Sequence, residues 1–199
     1  MNSKGKGSSF ERECSRMLSL WWTNGKRDDA IWRSASSGAL TTVGKGRYLA
    51  HTGDFAATDG EAELLFKHVI IEAKRGYNRY SVQDLLDVPE KSLAKSPVYE
   101  MVIKLIESGK TQKKHVMLLW KRDRRDLLVF TDIRYTNMIP YMTLLCPDSS
   151  CLIGMPWQIF SRLVPASHFN FDPIVSATRT ESVLTPPVVS SELKPVTPS

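Results

Sequence analysis

Two short stretches hold the residue types for metal-assisted chemistry: Gly53-Asp54-Phe55, and Ile70-Ile71-Glu72-Ala73-Lys74. On a strand alternate side chains share a face, so Glu72 and Lys74 stand together while Ala73 points away. If the Asp54 segment is a neighbouring strand, two carboxylates form an oxygen-rich site for a hard divalent cation such as Mg²⁺. Such a cation takes carboxylates, a backbone carbonyl and waters. A lysine beside it holds or polarises an attacking water, or neutralises a phosphate. The cation lowers the pKa of that water and stabilises a pentacovalent oxyanion, which is the task of phosphodiester hydrolysis.

Each piece also has a purely structural reading. Asp54 suits a turn, and Glu72 with Lys74 suits a solvated strand face. Glu11 completes the capping box Ser8-Ser9-Phe10-Glu11 at the start of a helix. Against the bland reading stands the run Val69-Ile70-Ile71, which reads as a strand buried on both faces. Charges at the end of such a strand need partners or a metal.

The elements that must position these groups follow from pattern. Phe10, Cys14, Met17, Leu18, Trp21 and Trp22 recur at helical spacing, which predicts a first helix from about Ser9 to Trp22, with one of the two tryptophans in the core. Ala30 to Arg33 reads as a short strand, and Thr58-Asp59-Gly60 as a hairpin turn joining the Asp54 strand to a strand over 67–74. Further along, the pattern predicts a short helix over 82–88, a longer one over 98–107, and strands over 115–121 and 127–131 around a basic turn. A helix over 133–141 follows, and 152–164 packs on the core as strand or helix.

The chain has 199 residues, 42% hydrophobic and 24% charged, which excludes collagen-like, wholly disordered and disulfide-scaffold classes. No apolar run has the roughly 20 residues of a membrane helix and the start lacks a signal-peptide core, so the expected location is a cytoplasm, that of a host if the source is viral. Three scattered cysteines fit thiols in a reducing compartment. The chain's net charge is +6, and residues 1–171 carry +7 of it against −1 in the remainder, pointing to a polyanionic partner. Residues 172–199 hold five of the eleven prolines with Ser, Thr and Val and no periodicity, which predicts a disordered tail behind a single domain over 1–171.

The order of Lys6-Gly7-Ser8-Ser9-Phe10-Glu11-Arg12, Trp32-Arg33-Ser34-Ala35-Ser36-Ser37-Gly38, Gly53-Asp54-Phe55 and Ile70-Ile71-Glu72-Ala73-Lys74 resembles the PD-(D/E)XK nuclease superfamily. Within it the chain is most similar to archaeal-type Holliday junction resolvases. The resemblance spans about residues 4 to 90. It implies an α/β fold of restriction-endonuclease type, a mixed central sheet flanked by helices, and cleavage of DNA with Mg²⁺, for which Mn²⁺ substitutes.

It further implies that Asp54, Glu72, Glu11 and the Ala73 carbonyl bind metal, that Lys74 activates water, and that Ser37 approaches the scissile phosphate. Gln83 resembles a glutamine that some relatives place near the site. Gly53 stands where the family has proline, a change of little expected consequence because that proline only shapes the backbone. Expected DNA contacts are Arg33, Lys45, Arg47, Arg75, Lys121, Arg122, Arg124 and Arg125. The implied partners are branched DNA and a second copy of the chain, with no membrane and no organic cofactor. Two other readings remain: a nuclease of the same chemistry on another DNA substrate, and an inactive DNA-binding module.

Overall fold

The computed structural model describes residues 3–34, 51–81, 96–134, 142–145 and 151–170. The expected tail, the domain boundary before it and the short helix over 82–88 lie outside the described residues. So does most of the segment 133–141, of which Ile133 and Arg134 are described and are not helical.

Helix α1 runs over Ser3–Trp22, starting well ahead of the expected Ser9. Phe10, Cys14, Leu18 and Trp22, spaced by four, all face the core. The capping-box residues Ser8 to Glu11 therefore sit inside the helix, where backbone amides already have i−4 partners, and the Glu11 carboxylate is released for other use. The helix stops at Asn24 and Gly25, both with positive φ, where the Gly25 amide donates to the Leu20 carbonyl.

Strands β1 (Ile31–Arg33), β2 (His51–Thr52) and β3 (Phe55–Ala57) form a small antiparallel sheet in the order β1-β3-β2. The hairpin expected at Thr58-Asp59-Gly60 is instead a helix start. Asp59 caps α2 (Gly60–His68), its carboxylate accepting from the Ala62 amide at 2.9 Å. Glu61 and Glu63 in the first turn and Lys67 and His68 in the last suit the helix dipole, while Ala62, Leu65 and Phe66 are buried.

The chain passes from α2 straight into β4 (Val69–Arg75), the first strand of a second, mixed sheet. Its order is β4-β5-β6-β8-β7, with β5 His115–Lys121, β6 Leu127–Thr131, β7 Met142–Leu145 and β8 Cys151–Pro156. β4 and β5 are parallel, in register from Val69 opposite His115 to Arg75 opposite Lys121, and the other pairs are antiparallel. The crossover between them carries α3 (Pro97–Gln112), and β8 leads into α4 (Trp157–Leu163). The segment 152–164 is thus both strand and helix.

Alternation along β4 divides the core in two. Val69, Ile71 and Ala73 face α1, α2 and α4, together with Phe10, Cys14, Phe66 and Phe160. Ile70 faces the other side, where Val98, Val102, Leu105 and Ile106 of α3 pack on Val116, Leu118 and Trp120. Full burial of each such side chain contributes roughly 1.5–3 kcal/mol, so α3 is fastened by its apolar face. The result is a mixed α/β architecture with helices on both faces of the larger sheet, as the sequence leads one to expect. Trp22 is buried and Trp21 half-buried, its ring packed edge-on to Trp157 and Phe169 and its Nε1 donating to the Val164 carbonyl. No helix among the described residues is long and apolar enough to cross a membrane.

Candidate active site

Asp54 reaches Glu72 through a parallel contact between the two sheets. Gly53 bridges Ile71 of β4, and the Asp54 amide donates to the Ile71 carbonyl at 3.1 Å. On its other side Ser34, just past β1, donates from its amide to the Asp54 carbonyl (2.9 Å) and from Oγ to the Gly53 carbonyl (3.0 Å). With its backbone held from both sides, Asp54 turns its carboxylate onto β4, where Oδ2 accepts from the Ala73 amide at 2.9 Å.

Gly53 matters more than its sequence context implies. Its φ is +73°, and a Cβ there would sit 2.3 Å from the Ile71 carbonyl oxygen. Proline, locked near −65°, does not fit this backbone. The replacement of the family's proline is a different chain path to the same aspartate, not a neutral exchange.

Lys74 closes the site. Its ammonium lies 3.1 Å from Asp54 Oδ2 and 2.5 Å from Glu72 Oε2, joining carboxylates from the two sheets. Burial, then the Asp54 charge, pushes the Glu72 carboxyl up from its ordinary value despite Lys74. Burial alone would lower Lys74, but Asp54 and Glu72 outweigh it and hold the ammonium above its usual pKa. Two carboxylates against one ammonium leave the trio with a formal charge of −1.

Among the described residues no group of three or more His, Cys, Asp or Glu side chains converges on one point. Two carboxylates already drawn around one positive charge nevertheless suit a hard divalent cation, which keeps several waters and needs few protein ligands. Glu72 and Lys74 open onto a cavity of about 380 Å³ whose far wall is α3, through Glu100, Met101 and Lys104.

Glu11 is engaged elsewhere. Its Oε2 accepts from Arg33 Nε at 2.6 Å, with the two side chains 17% and 6% exposed. Arg33 was expected to contact DNA; here its guanidinium is buried and faces α1. It lies one residue before Ser34, so the pair braces the segment that holds Asp54. The Cys14 thiol is buried beneath this region, and burial, with the charge of Glu13 next, pushes its pKa up.

The other expected DNA contacts divide. Arg124 and Arg125 are exposed on the β5–β6 turn, at the same end of the sheet as Lys74. Lys121 pairs with Glu13 of α1 at 2.8 Å, and Arg75 lies 3.4 Å from Asp123. Arg122 sits over the Trp120 ring, 5.6 Å from its centroid, and donates to the Tyr80 carbonyl. Ser37, Lys45, Arg47 and Gln83 lie outside the described residues.

Sequence reasoning passed over Ser34 as a brace and over Gly76 and Tyr77, which both have positive φ. The signals were present: a serine directly after a strand, and a Gly-x-Asn turn directly after the Glu72 strand.

Residues 2–143 match the family described as "Phage putative PDDEXK endonuclease". No curated protein and no solved structure matches the chain.

Proposed function

The chain belongs to this phage PDDEXK endonuclease family, and on that premise we propose that it is a divalent-metal-dependent endodeoxyribonuclease acting on branched DNA as a homodimer. The observation that carries the hydrolytic reading is the Lys74 ammonium held between Asp54 and Glu72 at an open end of β4. A dead site has no physical reason to gather two carboxylates where burial, and then the charge of Asp54, raises the Glu72 pKa.

Asp54, Glu72 and the Ala73 carbonyl are the groups that hold Mg²⁺ or Mn²⁺. The bound cation supplies charge for the phosphorane oxyanion and lowers the pKa of the attacking water. Lys74 as found is a donor, suited to orient water or meet a phosphate oxygen. Its protonation depends on the two carboxylates, since burial pulls the other way. Neutralising their charge leaves burial in control, and the same lysine then gives up a proton more readily. Glu11, tied to Arg33, acts by holding the Ser34 to Asp54 region in place.

Branched DNA as substrate draws on the likeness of the Lys6–Arg12 and Arg33–Gly38 segments to junction resolvases. Cutting two symmetry-related strands calls for two sites, hence the homodimer. The exposed Arg124 and Arg125 at the site's end of the sheet supply sequence-independent phosphate contacts.

The test is to incubate the protein with linear duplex, single strand, flap and four-way junction, each with Mg²⁺, Mn²⁺ or chelator. Cleavage should need metal, favour the junction, cut at symmetric points, and fall about a hundredfold or more in Asp54→Asn. Light scattering should give a dimer. Undiminished cleavage in chelator ends the metal mechanism. A monomer without junction preference turns the substrate reading toward other DNA.

A further inference from the structure

β4 ends in an unusual turn: Gly76 has φ +102° and Tyr77 φ +56°. Two successive positive-φ residues lead from the end of β4, two positions past Lys74, into a turn at Asn78 and Arg79. Glycine adopts this conformation freely, but for a bulky aromatic it is strained. Such strain persists only where the surroundings over-determine it.

Here they do. The Gly76 amide donates to the Lys121 carbonyl at 3.0 Å and the Tyr80 amide to the Tyr77 carbonyl at 2.9 Å. Asn78 Nδ2 donates to Asp123 Oδ2 at 2.9 Å, and the Asp123 amide returns a bond to Asn78 Oδ1 at 2.8 Å. Arg122 donates to the Tyr80 carbonyl at 3.0 Å. These bonds clamp the turn onto the β5–β6 hairpin, and the Tyr77 ring takes no part in them. Among the described residues the large apolar side chains left exposed are Leu20, Tyr77 and Leu163, and of these only Tyr77 is aromatic. It lines the cavity shared by Glu72, Lys74 and α3, whose volume of about 380 Å³ lies in the range of small-ligand pockets.

We propose that Tyr77 is a stacking residue that receives an unpaired nucleobase beside the scissile phosphate. The inference rests on the nuclease reading and deepens it by naming what the site takes up. Every base has an apolar face, so an aromatic ring presented on a rigid turn accepts one without sequence preference. In an intact duplex that face is covered by its neighbours. In a single strand or at a branch point it is available, which makes Tyr77 a selector for opened over closed DNA. A clamped backbone suits this role, because less of the chain has to be ordered when the ring stacks.

The experiment uses the full chain carrying Asp54→Asn, so that DNA is bound without being consumed. Single strands and four-way junctions carry 2-aminopurine, whose fluorescence is quenched by stacking, and a linear duplex is the control. Binding should quench the probe, and Tyr77→Phe should keep that quench. Tyr77→Ala should lose it and bind single strand roughly tenfold more weakly, with duplex affinity unchanged. Tyr77→Gly, which suits the φ, should fold at least as stably as the parent by circular dichroism and lose the quench equally. An unaltered quench in Tyr77→Ala, equal weakening on all three DNAs, or no binding by the Asp54→Asn chain overturns the proposal. Wild-type protein that quenches the probe and cleaves nothing refutes the nuclease reading alone. Wild-type and Tyr77→Ala proteins that cleave single strand and junction with equal KM refute the stacking role alone.

Discussion

Two ionic groupings lie within one small region and differ in their arithmetic. Glu11 and Arg33 are one carboxylate against one guanidinium, nearly shut from water. Asp54, Glu72 and Lys74 are two carboxylates against one ammonium, each side chain between 21% and 30% exposed. The first is balanced and largely withdrawn from water, which suits a brace. The second is in deficit and open, the condition under which the proposed divalent cation would be taken up. The difference separates a residue type from its setting: of two glutamates that a motif treats as equals, one faces a buried guanidinium and the other shares its ammonium with a second carboxylate.

The contrast is broken most forcefully at Arg33. Arg33→Met strands the Glu11 carboxylate in the interior, and removing one partner of a buried pair typically costs about 3–5 kcal/mol. Urea unfolding should show a loss of that order, with cleavage falling alongside it. Asp54→Asn should show the reverse pattern, with cleavage down about a hundredfold and stability near that of the parent, because one of two crowded like charges is gone. Equal stability losses in the two variants would erase the distinction.

A smaller effect sharpens the same point through pH. Glu72 is raised above its ordinary value of 4.5 in the folded state. A carboxyl raised on folding favours the fold while protonated, and that advantage is lost as pH climbs from the unfolded value through the folded one. Glu72→Gln should therefore unfold at a higher temperature than wild type at pH 7 without divalent metal. The gap should close below about pH 4, and Mg²⁺ should narrow or invert it at neutral pH, because wild type alone gains by binding. A pH-independent gap would show that the trio carries no penalty. The smallest effect is expected at the exposed Lys121–Glu13 pair, where Glu13→Gln should cost no more than about 1 kcal/mol in thermal unfolding.

How much of this was legible depended on the range of the interaction. The β5–β6 hairpin and the start of α3 were readable because alternation and helical spacing are local. Thr58-Asp59-Gly60 was misread because Asp-Gly serves a hairpin and a helix cap equally well; the vote lay in Ala62, Leu65 and Phe66 beyond it. Asp54 was placed beside Glu72 correctly but for the wrong reason, since the connection is a single parallel bridge and not a turn. The Glu11–Arg33 pair was not legible at all. It joins a helix to a strand across 22 positions, and the capping-box pattern offered Glu11 a plausible local employment that the longer helix cancels.

The bridge at Gly53 also bears on how such a sequence can change over generations. Glycine and proline codons differ at two bases, so a lineage moving between them passes through an intermediate that encodes alanine or arginine. Either would put a Cβ 2.3 Å from the Ile71 carbonyl oxygen, on a backbone whose φ disfavours any side chain. The intermediate is penalised at the residue preceding Asp54, the proposed metal ligand, where impaired function would be exposed to selection at once. Lineages with glycine here and lineages with proline are thus separated by a fitness valley, and each is expected to keep its own form while the rest of the chain diverges.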